Sequence, residues 1–190
     1  MSYKIEKRIK IASGNWLYLE ELEYSDPSGR SHTWESAMRV NGRGAVAVIA
    51  TLKESGAVIL VRQFRPPAGG YVIEFPAGLI DDGESAESTA LRELREETGY
   101  HSSVVEIMPP FLTSPGFSGE AVTLVISEVD ENAPENQKLV TDFDESEDIE
   151  TFVVTPVNLP GFLKEREAAG DLMDAKVLSY MVGLGGSWGA

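Results

Sequence analysis

Glu93, Glu96 and Glu97 stand at i, i+3 and i+4 within GLIDDGESAESTALRELREETGY, residues 78–100. On a helix that spacing puts all three carboxylates on one face. Like charges stacked this way repel one another, and a divalent cation among them would turn the repulsion into attraction. Oxygen-only donors on a rigid element suit Mg²⁺ or Mn²⁺ rather than zinc. Mg²⁺ usually works with one or two carboxylates together with substrate phosphates, so the chemistry indicated is phosphate chemistry. The blander reading is a solvated acidic face, with Arg92 and Arg95 as partners along the helix.

The surrounding residues predict a loop followed by a helix over 86–98. Pro76, Gly78 and the Asp81–Asp82–Gly83 cluster interrupt regular structure. Ser85 suits the N-cap and Glu87 the first turn, where negative charge favours the helix dipole. Ala86, Ala90, Leu91 and Leu94 supply a packing face, and Gly99 suits the left-handed position that ends a helix. The three acids then fall in the last two turns, the end of the macrodipole that prefers cations. That cost points to a role other than helix stability.

Gly78, Glu84, Arg92, Glu93, Leu94, Glu96, Glu97, Gly99 and Tyr100 fill the pattern G-x5-E-x7-R-E-U-x-E-E-x-G-U, with U apolar. This is the Nudix box, and the chain strongly resembles the Nudix hydrolases; Tyr100, which carries a hydroxyl, is the one mild departure. The resemblance implies that the box is a loop–helix–loop holding Mg²⁺ against a diphosphate. It implies Glu93, Glu96 and Glu97 as metal ligands, Arg92 as the group that orients them, and Glu84 as a supporting acid near the site. The glycines would serve the loop geometry.

Outside the box, RQFRPPAGGYVIEFPAGLIDDGE (62–84), with Trp34–Glu35–Ser36 before it and Pro115 after, is similar to the ADP-sugar and ADP-ribose pyrophosphatases of that family. The likeness runs from about Trp16 to Glu150. It implies that Trp16 and Trp34 sandwich adenine. Taken as bare residues, the same tryptophans read first as core or hairpin packing and second as a base sandwich. It also implies that Glu35, Arg39, Gln63 and Arg65 line the nucleotide and phosphate site, that the Ala77 carbonyl reaches metal, and that Gly116 and Phe117 lie near the terminal ribose. Arg39 and Arg65 suit phosphate because a guanidinium forks onto two oxygens.

A water-activating glutamate is implied on the loop before the last strand. Spacing favours Glu147, with Glu145 and Glu150 as alternates. The expected reaction is Mg²⁺-dependent hydrolysis of ADP-ribose to AMP and ribose 5-phosphate. GDP-sugars, dinucleotides or oxidised nucleotides are the alternative substrates, and a non-catalytic ADP-ribose sensor is the other reading. The family implies a homodimer with exchanged N-terminal sheets.

The whole chain sets bounds on these expectations. Its 190 residues, 42% hydrophobic, suffice for one domain with a real core. There is no cysteine, so no disulfide or thiolate zinc site exists. A net charge of −15 argues against a nucleic-acid or anionic-membrane surface, and requires local arginines and metal to neutralise a phosphate substrate. No apolar run approaches the ~20 residues of a membrane span, and MSYKIEKRIK does not read as a signal peptide. A cytoplasmic or nuclear location is expected.

In chain order, residues 1–40 read as a strand-rich N-terminal sheet and dimerisation piece, with a turn at Ser25–Gly29 and a returning strand from His32 to Val40. Residues 41–190 read as the catalytic domain. Strands are expected at 44–53, 56–64, 71–75, 102–108, 121–129 and 149–154. Residues 130–148 read as a long mobile loop. A C-terminal helix over 159–182 should break near Gly170. Strands on both sides of one central helix, with a further helix at the end, predict an α/β/α sandwich around a mixed sheet.

Overall fold

The computed structural model describes residues 2–40, 42–143 and 148–188. Contacts group them into two compact units: residues 1–45 with 110–122, and residues 46–109 with 123–190. Each is described by itself.

The first unit is built on an antiparallel sheet of β1 (Lys4–Ser13), β2 (Leu17–Ser25) and β3 (Ser31–Arg39), in that order. The β2–β3 turn closes on Asp26. One carboxylate oxygen takes the amides of Ser28 (2.8 Å) and Arg30 (3.0 Å), and the other takes the Arg30 Nε–H (3.1 Å). These bonds hold the Asp26 carboxyl well below the usual carboxylate range, the Ser28 hydroxyl contributing most. β1 is not singled out within the strand-rich stretch expected over residues 1–40. Ile5, Ile9 and Ile11 of KIEKRIKIAS fall on one face by strand alternation, yet the strand is exposed almost throughout, so no core holds it. It is held instead by its ladder to β2, in which Lys7 lies opposite Glu23 and Lys10 opposite Glu20. A two-residue strand, β9 (Phe111–Leu112), pairs with the start of β10 (Ala121–Val129).

The second unit carries the main sheet. Its strands are β4 (Ala45–Leu52), β5 (Val58–Arg65), β6 (Gly70–Glu74), β7 (Ala77–Leu79), β8 (Ser103–Ile107), β10, β11 (Ile149–Val154) and β12 (Leu172–Met173). β5 is central: it pairs antiparallel with β11 and β6 and touches β4 at Val58. β12 joins β6 in parallel, which makes the sheet mixed. Residues 46–50 of β4 are all buried, the continuous apolar run expected of a strand covered on both faces.

Helix α1 (Ala86–Thr98) covers one face, with Ala90 and Leu94 packed on Val46, Val48, Ile59 and Val125. Helices α2 (Leu159–Ala168) and α3 (Ala175–Gly183) cover the other, where Leu159, Leu163, Val177 and Met181 meet Leu60, Ile73 and Phe75. The expected α/β/α sandwich is therefore the observed fold. The helix bounds match expectation, including the break at Gly170, which has φ +95°. The short strands β7, β9 and β12 were too brief to show a period. The loop after β10 departs from the expected picture: Pro134–Asn136 forms a 3₁₀ turn with Asn136 buried.

Candidate active site

The box helix begins as its residues dictate. Ser85 accepts the Ser88 amide (3.1 Å) and donates its own to Ser88 Oγ (2.9 Å), a reciprocal capping pair. It ends at Gly99, φ +76°, whose amide donates to Arg95 O at 2.8 Å.

Arg92 organises the acids. Its Nε and Nη2 donate to the two oxygens of Glu84, each at 2.9 Å. Its Nη1 donates to Glu93 Oε1 (2.8 Å) and Glu96 Oε2 (3.0 Å). Glu84 also takes the Thr89 hydroxyl at 2.9 Å. The Arg92 fork, with Thr89 and the Asp81 amide, lowers the Glu84 pKa to about 2. The paired acids in turn raise the Arg92 pKa, Glu84 most. Glu84 is thus committed to holding Arg92, and Arg92 to holding Glu93 and Glu96.

Glu97 is 3% exposed and accepts the Ala77 amide at 3.2 Å. The contact seen for Ala77 is therefore through its N–H. Gly78 has a different task from the turn role expected of it. A methyl there would lie 1.8 Å from Glu93 Oε1, so the missing side chain is where the Glu93 carboxylate fits. The donor set, all carboxylate, fits a hard divalent cation. Among the described residues no three acidic groups are already drawn to one point, and the Arg92 guanidinium stands between Glu93 and Glu96. Glu93, Glu96 and Glu97 are the residues that would hold an ion.

Strand alternation sorts the other residues of this unit. Ile59, packed on α1, shares its sheet face with Gln63 and Arg65. Gln63 is 8% exposed. Arg65 donates from Nε (2.9 Å) and Nη2 (2.5 Å) to Glu74 Oε2. Glu74 was quoted in the motif without a role, yet it fixes the arginine. Thr151 lies on the α1 face too, donating to Glu97 O at 3.4 Å. Glu150, the next residue back, points to the opposite face and lies 3.7 Å from Arg62 Nη1. That removes it from the box side. Glu145 and Glu147 lie outside the described residues.

In the first unit, Trp34 is 52% exposed and donates its indole N–H to Gly116 O at 3.1 Å. Phe117 is 65% exposed, and its carbonyl takes the Ala37 amide at 3.0 Å. Trp34, Ser36, Met38, Pro115 and Phe117 line a cavity of about 220 Å³. Arg39 is ion-paired with Glu120. Glu35 lies opposite Glu21, a like-charge pair. Trp16, 76% exposed, sits beside Val40, whose amide donates to Trp16 O at 2.9 Å. From Val40 back to Trp34 along β3 is about 20 Å at ~3.3 Å per residue. Both indoles are too exposed for core packing.

Residues 42–174 match the NUDIX domain. The chain is 38% identical over 177 residues to the ADP-ribose pyrophosphatase of Saccharomyces cerevisiae, covering 89% of this chain and 77% of that protein. It is 46% identical over 127 residues to the ADP-sugar pyrophosphatase of Mus musculus, covering 62% of this chain and 58% of that one. A solved structure described as an ADP compounds hydrolase shares the fold, with a TM-score of 0.71 over 97% of this chain and 92% of its own, at 19% identity.

Proposed function

The chain belongs to the Nudix hydrolase family, and from that premise we propose that it hydrolyses ADP-ribose to AMP and ribose 5-phosphate with Mg²⁺ or Mn²⁺. The observation that carries the reading is the Arg92 hub: one guanidinium braces Glu84 while presenting Glu93 and Glu96 together. The likeness to an ADP-ribose pyrophosphatase over 89% of the chain supports the substrate.

Glu93, Glu96 and Glu97 would hold the cation, which would supply charge neutralisation of the diphosphate and activation of water. Water adds to one phosphorus, the P–O bond to the bridging oxygen breaks, and two phosphomonoesters leave. Glu147 takes the proton from water, as the favoured acid of 144–150. Arg65, steadied by Glu74, and Arg39 counter phosphate charge in a chain of net −15. Gln63 and Glu35 line the nucleotide site, Gly116 and Phe117 the terminal ribose, and the Ala77 carbonyl would offer an oxygen to the metal.

Trp16 and Trp34 stack on adenine from two subunits of a homodimer with exchanged N-terminal sheets. The exposure of both indoles supports stacking over packing. In that arrangement residues 1–40 form the dimerisation piece and 41–190 the catalytic domain. No helix among the described residues is long and apolar enough to cross a membrane, and the absence of cysteine supports a reducing cytoplasmic or nuclear setting.

The test is product analysis with ADP-ribose, GDP-mannose, NADH and an oxidised nucleoside triphosphate, with and without chelator. AMP and ribose 5-phosphate should form fastest from ADP-ribose and only with metal. Preference for a guanine or oxidised substrate, or undiminished turnover in chelator, would overturn the reading.

A further inference from the structure

Three acids at the C-terminal end of α1 oppose the helix dipole and one another, so this turn needs support from outside the helix. Its orphan carbonyls receive that support. Arg95 O takes the Gly99 amide (2.8 Å), Glu96 O takes the Asp142 amide (2.9 Å), and Glu97 O takes the Thr151 hydroxyl (3.4 Å). The Asp142 contact comes from the segment after β10. Where that segment crosses the helix end, a methyl on Gly99 would meet Val140 N at 2.8 Å and Leu139 Cβ at 2.9 Å.

The anchor of the segment is Asn136, 8% exposed. Its Oδ1 accepts the His101 amide at 2.8 Å, and its Nδ2 donates to His101 O and Asp130 O, each at 2.9 Å. The side chain thus mimics a strand bridge to the residues just beyond the box, while also closing the turn back to the end of β10. Three hydrogen bonds from one buried amide leave the segment little freedom to shift.

We propose that Asn136 is a positioning residue for the metal ligands: by fixing residues 137–142 against α1 it keeps the last helical turn wound and presents Glu96 and Glu97 before any cation arrives. This rests on the reading of Glu93, Glu96 and Glu97 as metal ligands. Without the anchor, a cation must first order that turn, so its apparent affinity falls by the fraction of chains already ordered.

The test uses the full chain bearing Asn136→Leu, of similar volume and without hydrogen bonds. Gln137→Ala is the control; it removes a side chain on the same segment that bonds Glu131 O (2.6 Å) and, among the described residues, no part of α1. Mn²⁺ binding is measured without nucleotide, and hydrogen exchange is followed at the Gly99 and Asp142 amides. In Asn136→Leu the Mn²⁺ Kd and the Mg²⁺ concentration for half activity should both rise about 5- to 10-fold, with kcat recovered at saturating Mg²⁺. Both amides should exchange at least about tenfold faster. Gln137→Ala should match wild type. A folded Asn136→Leu with unchanged Mn²⁺ affinity and exchange overturns the proposal. Should the leucine variant fail to fold, Asn136→Ser gives the same readouts, and failure of both assigns Asn136 to stability alone. Wild-type Mn²⁺ binding and exchange are read without substrate. Failure of the ADP-ribose reading would therefore leave these results standing.

Discussion

The carboxylate of Glu93 occupies the space where Gly78 lacks a side chain: a methyl there would fall 1.8 Å from Oε1 and 2.0 Å from Cδ. The box glycine and the first of the three clustered acids are thus one steric unit. Gly78→Ala should displace Glu93 and cut kcat/KM on the order of 100-fold, the usual cost of a misplacement of about 1 Å. Circular dichroism should report an intact fold, because Gly78 lies in a loop strand and its φ is ordinary. Undiminished turnover would show that Glu93 can sit elsewhere and still function.

Glu97→Gln removes a charge and keeps the oxygen that accepts the Ala77 amide. Turnover with ADP-ribose and Mg²⁺ should fall more than about 100-fold, beyond the loss typical of groups that merely support a ligand. Thermal stability should hold or rise by a few tenths of a kcal/mol, since one member of an i,i+4 like-charge pair with Glu93 is gone. Near-normal steady-state rates in this variant would refute the metal assignment.

Glu84 has a folded pKa of about 2 against an ordinary 4.5. A carboxyl lowered on folding stabilises the protein fully above its unfolded pKa, and that contribution disappears as pH falls through the folded value. The stability gap between wild type and Glu84→Gln should therefore be full at neutral pH and close between pH ~4.5 and ~2. Denaturant titrations at several pH values would measure it, and a gap independent of pH would contradict the Arg92–Glu84 linkage. Activity at pH 7 should drop about 10- to 100-fold as Arg92 loses its brace.

Trp34→Ala should raise KM for ADP-ribose about 5- to 150-fold, the range set by ~1–3 kcal/mol of base stacking. A dimer pairing one Trp16→Ala subunit with one Trp34→Ala subunit should regain about half the wild-type activity. Exchange puts both lesions in one site and leaves the other whole. If the mixed dimer is no better than its parents, each site draws both tryptophans from one chain or needs neither.

What could be read from the chain alone was local. The helix over 86–98, its Ser85 and Gly99 caps and the shared face of Glu93, Glu96 and Glu97 follow from residue type and a period of 3.6, which neighbouring residues impose on one another. The strands at 121–129 and 149–154 were legible from their β-branched and apolar residues, a strand having a period of 2. Tertiary structure decided the rest. β1 pairs with β2 across a ladder that carries opposite charges, and it buries almost nothing of the apolar face formed by Ile5, Ile9 and Ile11. Glu150 turns to the Arg62 face because the register of β11 on β5 puts Thr151 on the other. Glu74 reaches Arg65, and Asn136 reaches His101, across separations in sequence that no period spans. Spacing within an element sets direction only relative to that element; which partner it meets depends on how elements far apart in the chain pack and pair.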